Sequence, residues 1–240
     1  MGIDTAQTVR EIVQQNPAAV PVFEALGIDY CCGGGKSLED ACKTRNLPVD
    51  KVLTDLRDAL VARPTKDDAP GMTSALSDLA DHIVAQHHNY ARRELTRLTS
   101  LAEKVFLRHG GKHPELGHIR DLVIAMSSEA FTHMLKEEQV LFPRLKTMEQ
   151  AATNGTPPPQ AFFGALINPI RHMMEDHDDT GELLRNIRSL TNEYQSPAGA
   201  CMSFQALYHG LADLESDLHQ HIHLENNILF PRALEFEKTQ

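Results

Sequence analysis

The sequence predicts an all-α protein, a small N-terminal helical domain linked to an antiparallel four-helix bundle, on three observations. In the last two thirds of the chain apolar residues return at helical spacing through four long stretches. Strand signals are nearly absent. The stretch RPTKDDAPG, Arg63–Gly71, is polar, carries two prolines, and separates the long helices from a segment of short, sharply punctuated ones. The expected layout is residues 1–62 as a small helical domain with a Cys-Cys-Gly motif, 63–72 as linker, and 73–240 as the bundle.

In the first segment, Thr5–Gln15 reads as a helix broken by Asn16 and Pro17, and Val20–Leu26 as one stopped by Gly27. Ser37, with Asp40 three residues on, can open the next helix as a capping box, and Pro48 is placed to begin another reaching about Ala62. The first bundle helix is expected over Ser74–Arg108, on a stripe through Leu76, Leu79, Ile83, Ala91, Leu95, Leu98, Ala102 and Val105, with HGGKHP ending it. A second runs from about Pro114 to Leu145. NGTPPP then makes a loop that no helix crosses, Asn168 and Pro169 start a third helix, and SPAG separates it from the fourth.

At 240 residues and 41% hydrophobic content, the chain can bury a full core, and no apolar run approaches the roughly 20 residues of a membrane span. A formal charge of -10 argues against nucleic acid as a partner. The N-terminus has no apolar signal core, and the four cysteines make no disulfide framework or zinc pattern, so a cytoplasmic protein without membrane association is expected. In DYCCGGGKSLEDAC, Asp29–Cys42, the neighbouring Cα atoms of Cys31 and Cys32 lie about 3.8 Å apart, below the roughly 4.4 Å that ordinary bridges need, so both thiols are expected to be free.

The 13 histidines, beside 33 acidic residues, direct attention to metal ligands. HMLKEEQVLFPRL from His133 and HIHLENNILFPRA from His221 share His, three residues, Glu, three residues, Leu-Phe-Pro-Arg, at an offset of 88 positions. The partner helices carry the echo of this duplication, since His88 precedes His133 by 45 positions and His177 precedes His221 by 44. The spacing of four puts His133 over Glu137, and His221 over Glu225, each at the end of an apolar stripe. His177 follows Ile170, Met173 and Met174 in the same way. Four histidines and two glutamates therefore face the core, with His87 as the competing choice to His88. Carboxylates buried without compensation cost several kcal/mol each, and two metal ions, bridged by the glutamates and completed by the histidines two by two, would neutralise them. Mixed imidazole and carboxylate ligation suits iron or manganese.

Glu129 and Asp217 stand one turn before the paired histidines and are read as second acceptors or proton carriers, with a solvated edge as the rival reading, and Asp176 beside His177 is a weaker candidate. His82, His109, His113, His118, His172, His209, His219 and His223 fall outside the pattern and are taken as surface or loop residues.

DYCCGGGKSLEDAC, His88, HMLKE, MEDHDDTGELL and HIHLENNILFPRA together resemble the iron-sulfur cluster repair di-iron family, also called the repair of iron centres family, whose second domain is hemerythrin-like. The resemblance covers nearly the whole chain. It implies iron ligands at His88, His133, Glu137, His177, His221 and Glu225, with both glutamates bridging, and it selects His88 over His87. It also implies a role for Glu129 on a channel to the metal site. Two departures stand out: Asp176 occupies a position that is usually Glu, and three glycines, Gly33–Gly35, follow the cysteine pair where two are common.

What the resemblance implies is a protein that repairs iron-sulfur clusters damaged by oxidative or nitrosative stress, by iron donation or by redox chemistry at Cys31 and Cys32, with damaged iron-sulfur proteins as clients. The rival reading of that pair has Cys31 exposed and Cys32 packed without a chemical role. Two non-haem irons with an oxo or hydroxo bridge would each have about five ligands, leaving a position for nitric oxide or dioxygen. Two alternatives are a nitric oxide reductase with Glu129 feeding protons, and an oxygen or nitric oxide sensor. Homodimer formation through the small domain is left open.

Overall fold

The computed structural model describes residues 3–31, 33–62, 74–157 and 164–239. Cys32 and the linker expected at 63–72 lie outside the described residues, as does the end of the NGTPPP loop. The fold is all-α, and the only extended pairing among the described residues is an isolated antiparallel bridge between Thr8 and Ser37.

Four short helices make the N-terminal unit: α1, Val9–Gln15; α2, Val20–Leu26; α3, Leu38–Thr44; and α4, Val49–Ala62. The first starts later than Thr5, because Thr8 is its cap: the Thr8 hydroxyl accepts from Glu11 N–H while Glu11 reaches back to Thr8 N–H. Gly27 ends α2 at φ 62°, a conformation that costs glycine nothing. Ser37 caps α3 by accepting from Asp40 N–H, but Asp40 takes the Ser37 hydroxyl rather than its backbone, so the expected capping box is only half formed. Val9, Ile12, Phe23, Tyr30, Leu38, Val52 and Leu56 form a core of their own.

The bundle has four rods, three of them interrupted. The first is α5, Leu76–Ile83, a π-turn at Val84–His88, and α6, Asn89–His109. The second is α7, Glu115–Lys136, a π-turn at Glu137–Leu141, and α8, Phe142–Thr153; the third is the unbroken α9, Ile167–Leu190. The fourth is α10, Met202–Leu224, a π-turn at Glu225–Leu229, and α11, Phe230–Lys238. Helix α6 packs on α7 and α10, and α7 on α9.

The second rod runs past its expected end near Leu145 to Thr153, because Met148 and Ala151 continue its buried face, and it carries Pro143 within it. A helical proline lacks an N–H and clashes with the carbonyl four residues back. The π-turns before Pro143 and Pro231 widen the helix there, and Phe142 and Phe230 donate to the carbonyls five residues back, at Glu137 and Glu225.

Two apolar cores fill the bundle. One gathers Leu95, Leu98, Leu116, Ile119, Met126, Leu184, Leu207 and Leu214; the other gathers Leu79, Ile83, Leu145, Ile170, Leu229 and Phe230. Each such side chain contributes roughly 1.5–3 kcal/mol by leaving water. The two cores part at one level on all four rods: after Ile83, Met134, Met173 and Leu218. The polar band falls in that gap.

Candidate metal centre

The band holds His88, His133, Glu137, His177, His221 and Glu225, all buried, with both glutamates fully enclosed. They form two sets that share the carboxylates: His88, Glu137, His221 and Glu225, and His133, Glu137, His177 and Glu225. Within each set one ligand atom per residue lies within 4.8 Å of the others. His88 closes the first π-turn, while Glu137 and Glu225 open the other two. His177 comes from the unbroken α9.

The distances are those of donors gathered around a cation. His133 Nε2 lies 3.3 Å and His88 Nε2 3.4 Å from Glu137 Oε2. His177 Nε2 lies 3.0 Å from Glu225 Oε2, and His221 Nε2 3.0 Å from Glu225 Oε1. The imidazoles also meet Nε2 to Nε2, at 3.2 Å for His88 and His221 and 3.0 Å for His133 and His177.

Their outer nitrogens fix which way these rings present lone pairs. His88 Nδ1 donates to Glu138 at 2.7 Å, His133 Nδ1 to Asp176 at 3.2 Å, and His177 Nδ1 to the amide oxygen of Asn226 at 2.8 Å. A ring that donates from Nδ1 turns a bare Nε2 inward when neutral, which is the metal-binding tautomer. Arg92 holds Glu138 at 2.8 Å, and Lys136 holds Asp176 at 2.9 Å.

The electrostatics show the same demand for positive charge. Burial disfavours the His88 cation, but Glu137 and Glu225 outweigh it and push the imidazole up to about 10; His133 likewise rises to about 10, against burial, through Glu137 and Asp176. Glu137 and Glu225 both stay below the usual carboxylate range: burial opposes this, and the facing histidines overcome it. Burial keeps His221 neutral. The His133 hydrogen bond drives the Asp176 carboxyl down.

Both oxygens of Glu137, Oε2 of Glu225 and Nδ1 of His221 are buried without a hydrogen-bond partner. With the rings neutral, carboxylate oxygens opposite bare imidazole nitrogens are acceptors facing acceptors, an arrangement that costs several kcal/mol unless protons or a metal cation lie between them. Four nitrogens and two carboxylates suit iron or manganese better than the thiolate-rich set of structural zinc.

Other sequence candidates lie elsewhere. Glu129 is exposed and does not share the buried face; with Thr132, Lys136 and Asp179 it lines a cleft of about 200 Å³ that His133 and Asp176 also line. Asp217 is half-buried and takes His87 Nδ1 at 3.0 Å, so it serves His87 and none of the six. Two histidines expected at the surface are drawn in: His223 is buried and His219 half-buried, both edge-on to Tyr30 of the small domain at 5.6 and 6.1 Å. Cys31, whose exposure was the rival reading, is 1% exposed, with its thiol 3.4 Å from Asp29 Oδ1. Glu138 and Asn226 were not singled out in the sequence, yet a signal existed: each directly follows the glutamate of its repeat, at the same 88-residue offset.

Compared with known proteins, residues 79–233 match the Hemerythrin HHE cation binding domain, and residues 5–60 match ScdA_N, a domain of unknown function. A hemerythrin-type domain implies bound iron, and the His and Glu cluster fits a metal site. Over 228 residues the chain is 37% identical to the "Iron-sulfur cluster repair protein YtfE" of Enterobacter sp. (strain 638), covering 95% of this chain and 96% of that one. It is likewise 37% identical over 232 residues to the "Probable iron-sulfur cluster repair protein" of Haemophilus influenzae, with the same coverage, and 34% identical to the YtfE of Citrobacter koseri. The chain belongs to this family of iron-sulfur cluster repair proteins with a hemerythrin-like domain. Among the described residues no helix is long and apolar enough to cross a membrane.

Proposed function

We propose that the protein repairs damaged iron-sulfur clusters in the cytoplasm, with two iron ions held in the polar band and damaged iron-sulfur proteins as its clients. The observation that carries the metal reading is the convergence of four inward imidazoles on the buried Glu137 and Glu225, in two sets that share both carboxylates, with neither oxygen of Glu137 hydrogen-bonded. In this reading His88, His221 and the two carboxylates would hold one ion, and His133, His177 and the same two carboxylates would hold the other. Ions bound there would supply Lewis acidity and a redox-active or transferable metal. Everything else falls to the chain. Glu138, Asp176 and Asn226 hold three of the rings in the metal-binding tautomer. Glu129, which lines the same cleft as His133, would serve in this reading as a proton carrier towards the band.

The cysteine turn is the proposed point of contact with the client. Cys31, Gly33 and Lys36 line one side of a cleft of about 600 Å³, with Arg185, Glu215 and His219 opposite. A client seated at this cleft would meet Cys31, and iron donated to that client would use the Cys31 thiol, with that of Cys32 next in sequence, as thiolate ligands.

The test is metal content by elemental analysis, with an optical spectrum, on the full chain and on Glu137→Ala. About two irons per chain in the parent, lost in the variant, supports the reading; a folded, metal-free parent refutes it. For the cysteines, Cys31→Ser with Cys32→Ser should keep the iron and abolish repair of a damaged cluster enzyme. Undiminished repair removes the thiols from the mechanism.

A further inference from the structure

The π-turn at Glu225–Leu229 has two occupied faces. Inward, Glu225 points into the polar band, and Asn226 holds His177. Outward, Asn227, buried to 1% exposure, meets the small domain: its Nδ2 donates to Tyr30 O at 3.1 Å and lies 2.7 Å from His223 Nδ1. Its backbone carbonyl accepts from Gln14 Nε2 on α1. That carbonyl is open to an outside donor because Pro231, four residues on, has no N–H to give it. In the first repeat the matching residue, Gln139, is exposed. Of these two matching positions, Asn227 is the one buried against the small domain among the described residues.

Tyr30 directly precedes Cys31, so one hydrogen bond and two short steps of backbone separate the cysteine turn from Glu225. Around that bond, Tyr30 stacks edge-on against His219 and His223, and Ser216 donates to Glu24, which also accepts from the Tyr30 hydroxyl. All these bundle residues lie on the fourth rod.

We propose that Asn227 is a positioning residue of the metal centre, joining the seating of the cysteine domain and the retention of metal into one linked equilibrium. This rests on the reading of Glu225 as a metal ligand. Metal fixes Glu225 and with it the turn that presents Asn227, so loading favours docking. Linkage is reciprocal, so a docked domain must raise metal affinity and a domain drawn away by a client must lower it; where loading is equally fast in both states, the whole difference falls on the rate of metal loss. The protein would then hold iron at rest and release it when its cysteine turn is engaged.

The experiment uses the full iron-loaded chain, with Asn227→Ala, Gln14→Ala and Pro231→Ala; the last gives Asn227 O a donor inside its own helix. Iron transfer to a ferrous chelator is timed, and hydrogen exchange is followed at the amides of residues 28–36 with and without metal. Each variant is expected to bind the parent's complement of iron and lose it about tenfold faster, the scale of one or two buried hydrogen bonds. Metal-dependent protection of residues 28–36, present in the parent, should disappear. A merely structural role would lower protection equally with and without metal. Gln14→Ala, at a half-buried surface site, keeps the test alive if Asn227→Ala does not fold. Variants that match the parent in release and in metal-dependent protection overturn the proposal. A parent that binds no metal overturns it too, but at the reading of Glu225, and all four proteins would then be alike.

Discussion

Replacing Asp176 with alanine separates metal affinity from fold stability. Asp176 makes two contacts: His133 Nδ1 at 3.2 Å and Lys136 Nζ at 2.9 Å. The second joins side chains that are 34% and 46% exposed, and such pairs contribute about 0–1 kcal/mol. The first sets the His133 tautomer, and losing an outer partner of this kind lowers metal affinity about 10- to 100-fold, or roughly 1.4–2.7 kcal/mol. Asp176→Ala should therefore leave the metal-free melting temperature within a few degrees of the parent while weakening metal binding at least tenfold. Chelator competition, followed by residual bound iron, measures the affinity, and calorimetry of the apo forms measures the stability. Asn226→Ala is the contrast, since Asn226 is buried and its loss should lower both. Affinity in Asp176→Ala equal to the parent's would show that the His133 tautomer is set without Asp176, and would sink the claim that these outer acceptors tune the site.

Two more outcomes follow from the same geometry. A Cβ on Gly34 would sit 2.5 Å from Tyr30 O whereas one on Gly35 meets nothing within 4 Å, so Gly34→Ala should cost the small domain about 1–3 kcal/mol in thermal melts and Gly35→Ala almost nothing. In the metal-free protein His88 and His133 bind protons up to about pH 10, above their unfolded value near 6.5, so their contribution to stability is complete below about pH 6.5 and fades as pH rises towards 10. Denaturant midpoints should fall over that window, and metal uptake at neutral pH should release protons in a pH-stat; uptake without release would mean both rings are neutral beforehand.

The bundle was legible because the chain repeats itself. The shared pattern of His, three residues, Glu, and the 45- and 44-residue echoes, single out six residues, and these are the six that the structure brings together. What failed was the step of four taken alone. The buried stripe on the second rod runs Met126, Ala130, His133, Glu137, so the turn before His133 is covered by Ala130, and Glu129 falls to the side, exposed. On the fourth rod the stripe runs Leu214, Leu218, His221, Glu225, and Asp217 is displaced in the same way, reaching His87 instead. His219 and His223 were misjudged for another reason: they lie off that stripe, and only the docked small domain covers them. No pattern within the bundle announces that contact.

The π-turns were equally hidden, since the helix expected through Pro143 carries no mark in its sequence of how the missing N–H is accommodated. Their placement ties fold to chemistry. A π-turn inserts an extra residue, so the apolar stripe beyond it resumes in a different phase, and the two cores can each be filled without one continuous register. The level at which the register slips is the level of the polar band, and on three of the four rods a residue of the band begins or ends the slip. A regular helix there would satisfy its own backbone but would have to choose between aiming Glu137 and Glu225 at the band and aiming Leu141 and Leu229 into the core. The interruption lets the chain do both, at the cost of a weaker hydrogen-bond ladder where the carboxylates lie. The same weakening, joined to a proline, is what leaves Asn227 O available to Gln14, so the device that places the carboxylate also makes the seat for the cysteine domain.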